Sequence, residues 1–304
     1  MPPSLSDRLH DGIAHATYLA YRAGAEVVRV VPGAVVSPLA HGVAQLAPAV
    51  MRERRHQVER NLRRVYGPEL DGIALQRAVT ATFDSYGRYW YELFRLPNES
   101  PEWVQQHFRG LGEEHIADAI AAGRGAVVAL PHLGSWDFAG AWLSGRGYQV
   151  SVVAEVLEPP ELYEWFVETR RALGMRVVPL SANAAAEMLA ALRHNEVICL
   201  LCDRDLTGDG VEVEFFGERT TMPGGPALLA LRSGAPLIPV GCYFRPDERG
   251  EARIGPPLPA ERSGSIREDI ARVTQALAHR FEELIRDAPE HWHLMQPNWP
   301  SDHV

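Results

Sequence analysis

The chain has 304 residues, 46% hydrophobic and 23% charged, with a formal net charge of −9. That balance suits a globular protein able to bury a full core, and the acidic excess argues against a nucleic-acid partner. All 30 basic residues are arginine, which excludes a Walker A phosphate loop, a Schiff-base lysine and Ser-Lys catalysis.

The first hundred or so residues read as almost entirely helical. Leu5, Leu9, Ile13, Ala16, Leu19 and Ala23 recur at helical spacing, and Pro32-Gly33 punctuates the run. Residues 35–50 are small and apolar, too weakly hydrophobic to span a bilayer, so they either pack in the core or lie on a membrane surface. No window approaches 18 uninterrupted apolar residues, and the first ten residues lack a basic segment followed by an apolar core. The expectation is a cytoplasmic protein without a cleaved signal. A helix over 52–66 carries Arg52, Arg54, Arg55, Arg60, Arg63 and Arg64 against only Glu53 and Glu59. It is either a solvated face or a contact for anionic lipid or phosphate. A helix over 75–95 bears Tyr86, Tyr89, Trp90, Tyr91 and Phe94, an aromatic band that packs in the core or lines a slot for an acyl chain.

From about residue 112 helices and strands alternate. The pattern predicts helices over 112–123, 136–146, 160–173, 184–194 and 224–233. The strands fall at 125–131, 149–154, 175–179, 196–202 and 236–244. Strands separated by helices of this length give an α/β fold with a largely parallel central sheet. A last helix over 265–288 leads to the tail His291-Trp-His293. We expect a helical region over 1–110 that packs on an α/β core over 111–304, in one compact domain. Cys199 and Cys202 lie three apart in a strand, pointing to opposite faces, so packing rather than a metal site is expected.

Functional loops in open α/β sheets lie at the carboxyl ends of strands. Those positions hold His132, Gly134, Ser135, Trp136 and Asp137 after the first strand, Glu155 after the second, and Asp203, Arg204 and Asp205 after the fourth. A strand that hands an imidazole to a turn, with a carboxylate near it, is a way to build an activated base. Both Asp203 and Asp137 are candidates to orient His132, and Asp137 also suits the first turn of a helix. A serine nucleophile is disfavoured because Gly134-Ser135-Trp136 is no Gly-x-Ser-x-Gly elbow. In the tail, one of His291 and His293 is a candidate to close over the site.

These residues resemble a known family. Leu130-Pro-His-Leu-Gly-Ser-Trp-Asp137 is similar to the His-x4-Asp/Glu box of the bacterial lipid acyltransferases, the lauroyl and myristoyl transferases of lipid A biosynthesis. Arg60-Asn-Leu-Arg63, Arg170-Arg-Ala-Leu-Gly-Met175, Asp203-Arg-Asp205 and the Trp- and His-rich tail agree in the same order. Tyr86-Gly-Arg-Tyr-Trp90, Val153-Ala-Glu-Val-Leu157 and His293-Leu-Met-Gln-Pro297 look like the phosphatidylinositol mannoside acyltransferases within it.

The resemblance implies palmitoyl transfer from acyl-coenzyme A to a mannose hydroxyl of a mannosylated phosphatidylinositol, peripherally at the cytoplasmic face of an anionic membrane. Neither a further cofactor nor an obligate protein partner is implied. His132 falls on the catalytic histidine and Asp203 on its partner carboxylate. Asp137 falls on the acid of the box. Gly134, Ser135, Trp136, Glu155, Arg170, Arg204, Asp205 and His293 are expected to bind substrate. Backbone amides of the 133–136 turn are candidates for an oxyanion site, and Ala139, Gly140 and Ala141 for one wall of an acyl slot.

Overall fold

The computed structural model describes residues 5–31, 33–247 and 249–303. Four helices come first: α1 (Leu5–Val30), α2 (Gly33–Val50), α3 (Arg52–Tyr66) and α4 (Gly72–Arg95). The side chains of Leu5, Leu9 and Ile13 lie outside the described residues. A short helix α5 (Pro101–His107), with Ser100 capping its first turn, runs into strand β1 (Phe108–Leu111).

The alternating region then supplies α6 (Glu114–Ala121), β2 (Ala126–Leu130), α7 (Trp136–Gly145), β3 (Val150–Ala154) and α8 (Pro160–Ala172). It continues with β4 (Met175–Pro179), α9 (Ala184–Arg193) and β5 (Val197–Leu201). An antiparallel hairpin of β6 (Val211–Phe215) and β7 (Glu218–Met222) follows. The chain closes with α10 (Gly225–Ser233), β8 (Leu237–Phe244), β9 (Gly250–Ile254) and α11 (Ile266–Arg286).

The main sheet has the order β1-β9-β8-β2-β5-β3-β4. The five strands from β8 to β4 are mutually parallel, whereas β9 runs antiparallel to β8 and carries β1 parallel to itself. The α/β class and the mostly parallel sheet are as the sequence predicts. Three features differ. β1 precedes the helix expected at 112, β9 extends the sheet beyond β8, and β6–β7 stands apart as a hairpin.

Every residue of β2 is buried, as a central strand covered on both faces requires. One face packs against α6 and α7, through Val128, Phe138, Trp142 and Val240. The other packs against α9, α10 and α11, through Ile198, Met188, Leu229, Leu277 and Phe281. Helix α11 starts at a capping box between Ser265 and Glu268, and its stripe Val273, Leu277, Phe281, Leu284 and Ile285 is buried. Cys199 sides with the first cluster and Cys202 with the second, as alternation on a strand dictates.

Helix α4 joins the N-terminal helices to this core. Its outer face takes α2 at close range, because Gly87 leaves room for Ala44. Its inner face sends Ser85, Tyr89 and Arg88 toward His293, Asp137 and Arg245.

Candidate active site

Strands β2 and β5 are neighbours in register, with Leu130 paired to Leu201. Two residues beyond those partners stand His132 and Asp203, so the ladder itself brings them to one level at the carboxyl edge. His132 Nδ1–H donates to Asp203 Oδ1 at 2.6 Å. The other oxygen, Oδ2, accepts from the His132 backbone N–H at 3.0 Å and from the Trp292 indole N–H at 2.8 Å. Burial of Asp203 alone would raise its pKa. The charge of His132 and these hydrogen bonds outweigh it and hold the carboxyl below its ordinary value. With Nδ1 committed, Nε2 is the free ring nitrogen of a side chain 30% exposed.

Asp137 does not bond His132. It sits in the first turn of α7, where Arg170 of α8 clamps it with Nε on Oδ1 at 2.8 Å and Nη2 on Oδ2 at 3.2 Å. Tyr89 OH donates to Oδ2 at 2.8 Å. Both carboxylates expected near His132 are therefore present, in different roles. Asp203 orients the imidazole, and Asp137 anchors the helix that follows the turn. Arg170, expected to meet substrate, is committed to Asp137, although both line the cavity described below.

The turn is pinned from the far end of the chain. Gly134 N–H donates to His291 O at 2.8 Å and His293 N–H to His132 O at 2.7 Å, flanking a bridge between Leu133 and Trp292. Gly134 has φ +63°, and a Cβ there would meet the carbonyl of Cys242. Leu133 N–H is also spent, on Pro131 O. Two of the amides expected to form an oxyanion site are thus already bonded.

A cavity of about 1550 Å³ opens beside His132. On the α7 side it is walled by Val128, Gly140, Trp142, Val152, Met175 and Cys199. It also reaches the other side of the sheet, along Met188, Leu229 and Ile270 to Arg204 and Glu212. Trp136 lines it, stacked on Tyr89 with ring centroids 4.1 Å apart and edge-on to His132. Tyr86, Tyr89 and Trp90 line it too, so the aromatic band both faces the cavity and packs in a core with Leu93 and Phe166.

Glu155 stands exposed on the rim, and Arg204 is half-buried with no carboxylate partner among the described residues. Ser135 is buried. Asp205 turns back on its own loop, accepting from the N–H groups of Thr207, Gly208 and Gly210 and from Thr221 Oγ1. It shapes the segment after β5 instead of reaching into the cavity.

Residues 8–301 match the family described as bacterial lipid A biosynthesis acyltransferase. A phosphatidylinositol mannoside acyltransferase of Mycolicibacterium smegmatis is 43% identical, with 98% of this chain and 96% of that protein aligned. One of Mycobacterium tuberculosis is 42% identical over 94% and 90%. A lipid A biosynthesis acyltransferase of Haemophilus influenzae is 22% identical over 79% and 74%. The chain belongs to the bacterial lipid A biosynthesis acyltransferase family.

In this acyltransferase the tail histidines turn inward, His291 half-buried and His293 lining the cavity. His293 is buried, its Nε2 sharing a hydrogen bond with Ser85 Oγ at 2.8 Å, and burial drives its pKa well below the ordinary value. His291 accepts from Phe244 N–H, and burial, then the charge of Arg88, pushes its pKa down from 6.5 to about 4. Below pH 6.5 the unfolded chain takes up a proton that folded His291 refuses. Stability is therefore complete above that pH and lost as the pH falls to 4, by at most about 3 kcal/mol from this residue. Urea unfolding of wild type and His291→Phe across that range checks this. The wild-type curve should fall more steeply, and parallel curves would contradict it.

The arginine-rich helix also finds a structural use. Arg64 donates to Asp302 at 2.8 Å and to Glu218 at 3.1 Å, and lies over the Trp299 ring. Arg60 donates to the Asp302 carbonyl, and Arg63 to that of Leu70. Arg52 and Arg54 remain exposed. Sequence reasoning missed Trp292 as a partner of Asp203, and Tyr89 and Arg170 as partners of Asp137. The Trp- and His-rich tail and the aromatic band were the signals, but neither names a partner.

Proposed function

We propose that this acyltransferase moves a fatty acyl group, palmitoyl in the first instance, from acyl-coenzyme A to a mannose hydroxyl of a mannosylated phosphatidylinositol. The observation that carries the reading is the His132–Asp203 pair at the mouth of a cavity whose α7 wall is apolar. The names of the mycobacterial relatives supply the acceptor class.

His132 Nε2 takes the proton of the attacking hydroxyl as its oxygen adds to the thioester carbonyl, and Asp203 stabilises the imidazolium. Collapse breaks the C–S bond, and the imidazolium returns its proton to the leaving thiolate. No acyl-enzyme forms. The Trp136 indole N–H, buried without a partner among the described residues, is an unspent donor for the developing oxyanion. Arg204 and Glu155 would meet polar groups of the substrates, and Gly140 admits the Met175 side chain against the apolar wall that would hold the chain.

The test is palmitoyl-coenzyme A incubated with mannosylated phosphatidylinositol, phosphatidylinositol without mannose, and a lipid A precursor, with products separated by mass. Acylation confined to the mannosylated lipid supports the reading. Equal acylation of the unmannosylated lipid rules it out.

Docking at the cytoplasmic face of the membrane fits one face of α2. Val35, Leu39, Val43, Leu46 and Val50 follow one another at intervals of three or four residues and are all exposed, Val50 by 81%. The exposed Arg52 and Arg54 adjoin the end of that stripe. Among the described residues no helix is long and apolar enough to cross a membrane. Burying one such side chain contributes about 1.5–3 kcal/mol, so Val43→Asp with Leu46→Asp should weaken binding to anionic vesicles by tenfold or more. Undiminished binding in flotation assays would place the contact elsewhere.

A further inference from the structure

The geometry points to Trp292 as a positioning residue of the His132–Asp203 pair, fixing the carboxylate and the histidine turn together. This rests on the acyl-transfer reading above. Its observations are local. The Asp203 carboxylate receives three donors, namely the His132 ring, the His132 amide and the Trp292 indole N–H. The carboxylate is fully buried. Three donors on one carboxylate leave it no freedom to rotate away from the imidazole.

The backbone around Trp292 does a second job. Its neighbours His291 and His293 form the two hydrogen bonds to Gly134 and His132 that hold the turn. The Trp292 indole and the backbone of its two neighbours thus fix both members of the pair, which arrive on different strands.

The tail is itself immobilised over some length. Asn298 Nδ2 donates to the Asp203 carbonyl at 3.1 Å, and Asn61 Nδ2 of α3 to the Leu294 carbonyl at 2.7 Å. The Asp302 carboxylate collects Gln57, Arg64 and the amides of Asn298 and Trp299. A tryptophan needed only for packing would not require its N–H to end on the carboxylate that holds His132.

The indole N–H also withdraws charge from Asp203. Without it the carboxylate is a stronger partner for the imidazolium, so the pair should hold its proton to higher pH. The other groups near His132 are His293 from the tail, Trp136 on α7 and the Asp137–Arg170 pair joining α7 to α8. Trp292→Phe leaves each of them in place.

The test takes the full chain in two measurements. In the first, Trp292→Phe, verified as folded by near-ultraviolet circular dichroism, is assayed for acyl transfer across pH. The expected result is kcat lower by about 10- to 100-fold, KM for both substrates within about twofold, and the acid limb of kcat displaced upward. A folded variant with an unmoved acid limb, whether or not kcat falls, overturns the proposal.

The second measurement follows the indole N–H resonances of 15N-tryptophan wild type during titration, and serves alone where the variant does not fold. One resonance should track the His132–Asp203 titration and lose that response in Asp203→Asn. No responding indole overturns the proposal. Wild type that transfers no acyl group while one indole tracks the pair would sink the acyl-transfer reading and leave the positioning role standing.

Discussion

His132→Ala is expected to lower kcat for acyl transfer by about 10³-fold or more, with KM nearly unchanged. General base catalysis supplies roughly 10²–10⁴ in rate, and no other imidazole can replace this one. His293 is buried against Ser85, and His291 faces Phe244. Asp203→Asn should also fall steeply, because an amide in place of the carboxylate can present N–H to the ring and select the wrong tautomer. Groups that act as a unit are not additive. The double variant should therefore be no slower than His132→Ala, as steady-state kinetics on the three proteins would measure. Multiplying effects would mean that Asp203 works independently of the histidine.

The second large effect is on stability. Arg170→Met leaves the Asp137 carboxylate, only 2% exposed, without its bidentate cation. Removing one partner of a buried ion pair costs about 3–5 kcal/mol, because the remaining charge is stranded. Tyr89 cannot compensate. Burial and the nearby Asp137 charge hold its phenol well above pKa 10, so it stays a neutral donor.

Arg170→Met with Asp137→Leu removes both charges and should regain most of the loss. Urea unfolding of wild type and both variants checks the pair, with folded protein assayed in parallel. A single variant that loses under 1 kcal/mol, or a double variant no better than the single, would contradict a buried-pair role. The two expectations divide the His-x4-Asp box between its residues: His132 carries the chemistry and Asp137 holds the helix beside it.

Much of this was legible in the sequence, for definite physical reasons. The parallel strands announced themselves because a strand covered on both faces is an unbroken apolar run, as in Ala126–Leu130. His132 and Asp203 stood out because strong chemistry followed such runs directly. The register that makes them meet was not legible, since it depends on β5 inserting between β2 and β3.

Strands β1 and β9 carry weaker signals. β1 is four residues long with one buried side chain, too short to show a period. β9 carries Glu251, a buried carboxylate satisfied by Arg109, Arg245 and Arg253 from β1, the β8–β9 turn and its own strand. No local pattern marks such a residue as interior. β6–β7 did alternate, Val-Glu-Val-Glu-Phe, with Phe216 and Gly217 at positive φ in the turn. That alternation, ending at Gly217, is the signature of a hairpin. The arginine cluster misled in part, because Arg64 meets the Asp302 carboxylate and Arg60 the Asp302 backbone carbonyl, more than two hundred residues away.

The measurement that bears most directly on the central claim is the stoichiometry of the wild-type reaction. Labelled palmitoyl-coenzyme A is mixed with mannosylated phosphatidylinositol, and free coenzyme A and acylated lipid are quantified over the first turnovers. Direct transfer through His132 predicts equal amounts of the two products, with no labelled protein and negligible coenzyme A release when the lipid is left out. Coenzyme A release that does not depend on the lipid, or label retained on the protein, would contradict it.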